Sequence, residues 1–231
     1  MDNYLSLLDA KFSSLNELNE SLKGIQENIP KDFRYVRNQA VRQFLKKINS
    51  EGEKMKRHID SSEFIAWGAR NIFEIELTLK FILSKEQNFH EWFTYRIKDE
   101  REIISNLNEF FKDENSMNLI DEFDQRLKKL DELEKKLEIA QTEELGYEFI
   151  LSVKKQKNIR QIAVEVNAEN RYKAFYKFYS KFVHPSAYMI WNTSLKINSK
   201  DYRASFLIIS IESLTEINTC IATYFKRLGQ L

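Results

Sequence analysis

The chain has 231 residues, of which 42% are apolar, and a chain of this length can bury a core of its own. It contains only 5 glycines and 2 prolines, so β-hairpins and glycine-rich phosphate loops have few residues to form them, and the composition favours an all-α fold. Lysine and arginine (36) nearly balance aspartate and glutamate (35), which excludes a general electrostatic attraction to nucleic acid or to anionic membranes.

Two further features indicate a reducing compartment. The single cysteine, Cys220, excludes an internal disulfide framework, and residues 1–12 lack the basic and apolar regions of a secretory signal. The most apolar stretch, 206–225, carries Glu212, Glu216 and several hydroxyl groups, which favours a buried helix over a membrane span. We therefore expect a cytoplasmic protein without a membrane partner.

Apolar residues recur at spacings of three, four and seven along most of the chain, which is the pattern of amphipathic helices. We predict a single domain, residues 1–231, folded as a multi-helix bundle of about seven to nine helices. A break in the helical pattern is expected at Ser50–Gly52. The predicted helices cover residues 3–27, 32–49, 61–84, 89–111, 117–145, 159–167, 170–184 and 202–227.

The segment 116–145 repeats apolar residues at alternating spacings of three and four among many charged residues, which is typical of a coiled-coil seam. The repeating residues are Ile120, Phe123, Leu127, Leu130 and Leu137. We predict a protruding charged arm that forms one half of a helical hairpin, or else packs against residues 3–27. A homodimer formed through this arm is also consistent with the pattern.

The predicted helix 61–84 is apolar on nearly every side, which is typical of a central helix. With about 100° of rotation per residue, Glu76 and Lys80 fall together, and we expect them on a narrow solvent edge. Arg70 and Glu74 fall instead in the sector that contains Trp67.

Because Arg70 and Glu74 are four residues apart, they can form an ion pair along this helix, with Asn71 beside them. Charged groups that face inward need partners to offset the free energy lost on desolvation. The pair therefore indicates either a structural tie between helices or a functional site.

Aromatic residues and lysines alternate in the stretch 172–191. On a helical wheel the aromatic residues form one broad face, whereas Lys173, Lys177 and Lys181 line another. Ser180 and His184 lie one turn apart on the border between the two faces. Pro185 disfavours α geometry at His184, which places that histidine at the C-terminal end of the helix.

Two separated signatures, R-x-x-x-E and Y-x-x-x-S-x-x-x-H-P-S, resemble those of an uncharacterised family of bacterial all-helical proteins of unknown function. The resemblance covers roughly residues 60–190. The matching positions are Arg70, Glu74, Tyr176, Ser180, His184 and Ser186.

The chain is more distantly similar to the HEPN superfamily of helical bundles, many of which cleave RNA in toxin or defence systems. The usual HEPN motif places an arginine and a polar residue shortly before a histidine in one helix, whereas Arg70-Asn71 and His184 lie in separate predicted helices here. The resemblance implies that Arg70 stabilises the pentavalent phosphorane, that His184 moves the proton of a 2′-hydroxyl, and that lysines hold the RNA backbone.

The resemblance to HEPN proteins therefore implies RNA cleavage without a metal ion, or RNA binding, in bacterial defence or stress. The candidate catalytic residues are Arg70, Asn71, Glu74, Ser180 and His184, and the candidate substrate-binding residues are Tyr176, Lys177, Lys181 and Ser186. The alternative hypothesis is a non-enzymatic interaction or dimerisation module, in which the Arg, Glu and His residues form a buried structural network.

The sequence contains no motif typical of a metal hydrolase or of a nucleotide-binding enzyme. The 3 histidines show no H-E-x-x-H spacing, so we predict no metal site and disfavour a metal hydrolase. The nucleotide-loop motifs G-x-x-x-x-G-K-[ST] and G-x-G-x-x-G are absent from the sequence, so no nucleotide or other cofactor is expected.

Overall fold

The computed structural model describes residues 2–27, 33–113, 117–152, 156–183 and 198–227. Within these ranges the chain forms nine α-helices and no β-strand, which confirms the prediction of an all-α multi-helix bundle. The helices are α1 (Asp2–Glu27), α2 (Phe33–Arg57), α3 (Ser62–Ser84), α4 (Glu86–Asp113), α5 (Met117–Leu145), α6 (Tyr147–Ser152), α7 (Ile159–Glu165), α8 (Glu169–Val183) and α9 (Lys200–Arg227).

The chain divides into two compact units. The first unit comprises Met1–Ser84 and Lys157–Leu231, and the second comprises Lys85–Gln156. The first unit is thus built from two separated segments, while the second is continuous in sequence. The prediction of a single domain concerns whether these units fold together, and it stays a prediction.

In the first unit, α3 is the central helix. It packs against α2, α7, α8 and α9, and α1 packs against α2 and α9. Its apolar residues are buried on several sides, among them Ile65, Ile72, Phe73, Leu77, Leu79 and Ile82. Burial of large apolar side chains, each of which contributes about 1.5–3 kcal/mol, is what holds such a helix in the core. The prediction of a central helix over residues 61–84 is confirmed.

Helix α9 could cross a membrane by length and composition alone. This is weak evidence, because the core helix of a soluble protein meets the same criteria. In the first unit α9 packs along α3, and Phe206, Leu214, Ile217 and Ile221 are fully buried there. The helix therefore also fits the buried core helix expected from its polar residues.

In the second unit, α4 and α5 form an antiparallel helical hairpin. Arg101 donates a hydrogen bond of 2.6 Å to Glu134, Asn108 donates one of 2.9 Å to Asp124, and Phe111 packs on Phe123. Leu130 and Leu137 of the α5 seam are buried. The hairpin is the one that the coiled-coil pattern of residues 116–145 predicts.

The expected helix break at Ser50–Gly52 is wrong, because α2 continues to Arg57. Gly52 is buried inside this helix, and a Cβ atom added to it would lie 2.2 Å from Cζ of Phe12 on α1. The glycine therefore permits α1 and α2 to approach closely. Packing against α1 offsets the roughly 1 kcal/mol by which glycine weakens a helix interior.

Candidate functional site

Helices α3 and α8 carry most of the candidate residues, and a short turn determines how they meet. Helix α7 ends at Glu165. In the turn that follows, Asn167 has a left-handed φ of 58°, and the N–H of Ala168 donates a 2.7 Å hydrogen bond to the carbonyl of Ala163. Asparagine tolerates this conformation better than most residues. The turn leads into α8, which runs antiparallel to α3.

Paired side chains show the antiparallel register. On α8, Arg171 donates hydrogen bonds to Glu76 of α3. The rings of Phe175 and Tyr179 pack on the Phe73 ring, and the Tyr176 ring lies under the guanidinium of Arg70. Residue numbers thus rise along α8 as they fall along α3. Tyr179 is buried in the core, while Tyr172, Phe175 and Tyr176 are half-buried.

Arg70, Glu74, Tyr172 and Tyr176 form one cluster, which we call the arginine–tyrosine cluster. Nε of Arg70 donates a 2.8 Å hydrogen bond to Oε1 of Glu74, as the sequence predicts. The guanidinium carbon lies 5.1 Å from the centre of the Tyr176 ring, and Tyr172 stacks on Tyr176 with ring centres 4.9 Å apart. The side chain of Arg70 is 18% exposed and that of Glu74 is 33% exposed, so solvent reaches the cluster.

The contacts of Arg70 fix its orientation but leave hydrogen-bonding capacity. A guanidinium has five N–H groups, and among the described residues only the Nε group of Arg70 forms a hydrogen bond. Burial alone would lower the pKa of Arg70, but the hydrogen bond and the charge of Glu74 outweigh it and raise the pKa. Arg70 is therefore a permanent cation with N–H groups available to a ligand.

The charge of a second arginine acts on the cluster. Arg160 is exposed on α7, and its charge acts to lower the pKa of the Tyr172 hydroxyl, although burial, Tyr176 and Glu74 raise that pKa overall. The sequence reasoning did not select Arg160 as a candidate. The basic run around it was the only available signal, because its approach to Tyr172 depends on the turn between α7 and α8.

Asn71 does not join the cluster. Its amide nitrogen donates a 3.0 Å hydrogen bond to Oε2 of Glu51 on α2, and Glu51 also accepts from Lys47 and Lys54. Burial would raise the pKa of Glu51, but these hydrogen bonds together outweigh it and lower the pKa. Asn71 thus ties α3 to α2.

Three of the remaining candidates, Lys177, Ser180 and Lys181, lie on α8. Ser180 is half-buried, and its hydroxyl donates a 3.0 Å hydrogen bond to the backbone carbonyl of Lys177 on its own helix. The side chains of Lys177 and Lys181 are exposed on α8. His184 and Ser186 lie outside the described residues.

The expectation that Glu76 lies on a solvent edge is wrong. Its side chain is fully buried and accepts hydrogen bonds of 2.6 and 3.1 Å from the guanidinium of Arg171. Lys80 lies 2.9 Å from Glu76 and 2.6 Å from Glu216 on α9. These four charged residues form a network that joins α3, α8 and α9.

The network was missed because its members lie far apart in sequence. The rotation of α3 places Glu76 toward α8, while Trp67, expected on the inward sector, is 42% exposed. The one available signal was an acidic residue in a helix that is apolar on nearly every side. Such a residue must either mark an edge or find partners, and one sequence does not show which.

No group of three or more potential metal ligands occurs within the ranges that the structure describes. The arginine–tyrosine cluster offers one carboxylate, which does not suit a divalent cation. Its cationic N–H groups are instead suited to phosphate or carboxylate oxygens, which arginine binds in a bidentate geometry.

The fold and the cluster together define an all-α bundle with a partly open arginine held between a carboxylate and a tyrosine. Residues 65–202 match the model of a family of unknown function, DUF5677, and the chain therefore belongs to that family. The matched region contains the arginine–tyrosine cluster and the buried Glu76. No curated protein and no solved structure matches the chain.

Proposed function

We propose that the protein binds RNA and cleaves it without a metal ion, as a HEPN-like bacterial protein of defence or stress in the cytoplasm. The observation that carries the proposal is the state of Arg70. Glu74 and Tyr176 hold its guanidinium at a surface that solvent reaches, and N–H groups remain for a phosphate.

Arginine in this arrangement suits a phosphodiester transition state. Its orientation is fixed before the ligand binds, so little reorganisation is needed when negative charge develops on the phosphate oxygens. The single hydrogen bond to Glu74 leaves the terminal nitrogen atoms for two parallel contacts. The exposed side chain of Lys177, next to Tyr176 on α8, is available to the RNA backbone.

The proposed reaction uses the 2′-hydroxyl of the substrate as the nucleophile. In the proposal His184, which follows α8 in sequence, accepts the proton of this hydroxyl as its oxygen attacks phosphorus. The bond from phosphorus to the 5′-oxygen breaks, and that oxygen takes a proton from water. The products are a 2′,3′-cyclic phosphate and a free 5′-hydroxyl. Ser180 has no assigned step, since its hydroxyl is bonded to its own helix.

The test is cleavage of single-stranded RNA by the purified full chain in the presence of a chelator, with the RNA ends identified. We expect cyclic phosphate ends, loss of cleavage in His184→Ala, and a fall of about 10²–10³-fold in Arg70→Gln because one transition-state donor is removed. Folding of each variant is checked by circular dichroism.

Arg96 provides a matched control. It also pairs with a glutamate four residues along its helix, Glu100, and its guanidinium carbon lies 5.3 Å from the centre of the Phe93 ring. Arg96→Gln should therefore leave cleavage unchanged. Absence of cleavage by the folded protein, or an equal loss in both arginine variants, would overturn the enzymatic proposal.

The alternative function is a non-enzymatic helical interaction module. It is supported by the buried carboxylate of Glu76, whose ion pairs tie α3 to α8. It is also favoured by three apolar side chains exposed on one face of α4, namely Ile103, Leu107 and Phe110. A folded protein that neither binds nor cleaves RNA would support this alternative.

A further inference from the structure

The surface of α8 beside the arginine–tyrosine cluster carries two parallel rows of side chains. Tyr172 and Tyr176 are four residues apart and stack on one another at an interplanar angle of 26°. Lys173 and Lys177 follow each tyrosine by one residue, so they form an exposed basic row alongside the aromatic row.

Cationic groups lie on both neighbouring helices as well. Arg70 of α3 lies over Tyr176. Arg160 is exposed on α7, the helix that precedes α8, and its charge acts on the Tyr172 hydroxyl. The surface thus carries four cations against two carboxylates, although the whole chain has a net charge of only +1. The cations are Arg70, Arg160, Lys173 and Lys177, and the carboxylates are Glu74 and Glu169.

Among the described residues, the Tyr172 ring contacts fewer rings and cations than the Tyr176 ring does. Tyr172 is half-buried, and within the described chain its ring stacks only on Tyr176. No described cation lies over the Tyr172 ring, whereas Arg70 lies over that of Tyr176. A flat ring placed on Tyr172 would extend a stack that already contains Tyr176.

We infer that this surface binds single-stranded RNA, with a nucleobase stacked on Tyr172 and the flanking phosphates held by Arg160 and Lys173. The inference rests on the proposed function and specifies that the RNA substrate is single-stranded. Base stacking on an aromatic side chain requires an unpaired base, because the bases of a duplex are already stacked and paired.

The experiment measures binding to the full chain carrying His184→Ala, which prevents cleavage during the titration. Three fluorescent probes of equal length are compared: a single-stranded oligoadenylate, its duplex with oligouridylate, and an abasic ribose-phosphate strand. We expect the oligoadenylate to bind at least about 5-fold more tightly than the other two, because one stacked base adds roughly 1–3 kcal/mol.

Substitutions separate stacking from charge. Tyr172→Leu should weaken oligoadenylate binding by about 5- to 100-fold and leave abasic binding unchanged, while Tyr172→Phe should retain both. Arg160→Gln should weaken both single strands and lower the salt dependence of binding by about one counterion. An equal effect of Tyr172→Leu on the two single strands, or no effect, would overturn the inference.

A second measurement does not depend on variants. Photocrosslinking of an iodouridine-containing strand to the protein with native Tyr172 should attach the base to Tyr172 or Tyr176, as read by mass spectrometry. Crosslinks confined to other residues would overturn the inference while the proposed cleavage could still stand. Failure of the folded protein to bind any of the three probes would instead overturn the proposed function itself.

Discussion

At the scale of single residues, the fully buried carboxylate of Glu76 holds the charged network of the first unit together. Replacing it by glutamine removes the negative charge that Arg171 and Lys80 share. A buried ion pair that loses one partner leaves an uncompensated charge, which destabilises a protein by about 3–5 kcal/mol. Because Arg171 and Lys80 are partly exposed, we expect Glu76→Gln to lower the free energy of unfolding by about 3 kcal/mol, measured by urea denaturation.

Glu212 supplies the control for this prediction. It lies on the same side of α9 as Glu216 and is exposed, and no described residue forms a hydrogen bond with it. Glu212→Gln should change the free energy of unfolding by less than about 0.5 kcal/mol. Equal effects of the two substitutions would show that the network contributes nothing beyond its surface charge.

Only some contacts of the candidate site could be predicted from the spacing of residues in the sequence. The Arg70–Glu74 pair was predictable because both residues lie on one helix, where a spacing of four brings side chains together. The resemblance named Arg70 and Tyr176 together, but it did not predict their contact, which depends on how α8 packs on α3. Contacts such as Arg171 with Glu76 were not predictable, since they depend on the register between α3 and α8.

At the scale of helices, two glycines set the distances between neighbours. A Cβ atom at Gly52 would lie 2.2 Å from the Phe12 ring on α1, and one at Gly68 would lie 2.3 Å from the Met55 side chain on α2. Contacts this short require the neighbouring side chains to move. The helix bounds were largely predictable from periodicity, whereas the role of Gly52 was not, because the pattern of α2 carries no information about α1.

Gly52→Ala tests this account. Alanine favours a helix over glycine by about 1 kcal/mol, but overpacking a filled contact destabilises by about 1–3 kcal/mol. We therefore expect a net loss of about 1 kcal/mol in the free energy of unfolding, read from thermal or urea denaturation.

Gly24 is the matched position, because a Cβ atom added there meets nothing within 4 Å. Gly24→Ala should stabilise the protein by up to about 1 kcal/mol through helix propensity alone. In a Phe12→Leu background the effect of Gly52→Ala should shrink, as contacting residues are coupled. A stabilising Gly52→Ala in the native background would contradict the close-packing account.

At the scale of the whole molecule, composition and periodicity sufficed for the fold class and for the central position of α3. They did not separate the chain into units, because every segment has the same helical character and no glycine- or proline-rich linker divides it. The division becomes visible only through the contacts of the folded chain, in which 85–156 forms one compact unit and the segments on either side form the other.

This division can be tested by deleting the second unit. Lys157 is the first residue of the second segment of the first unit. Its ammonium group lies 4.8 Å from the centre of the Phe81 ring, and Phe81 belongs to the last turn of α3, which ends at Ser84. A flexible glycine–serine linker can therefore join Ser84 to Lys157, because the Lys157 side chain reaches the last turn of α3 and closing a flexible loop costs little free energy. We expect the deleted chain to be helical and to unfold in one cooperative transition, followed by circular dichroism.

The deletion distinguishes two descriptions of the molecule. If the first unit has a complete core, as the packing of α3 against α2, α7, α8 and α9 indicates, then Glu76→Gln should destabilise the shortened chain by about the same 3 kcal/mol as the full chain. A shortened chain that is helical but lacks a cooperative transition would instead favour a single domain over residues 1–231. In that case the core of the first unit would depend on residues 85–156, and the charged network around Glu76 would be stable only in the full chain.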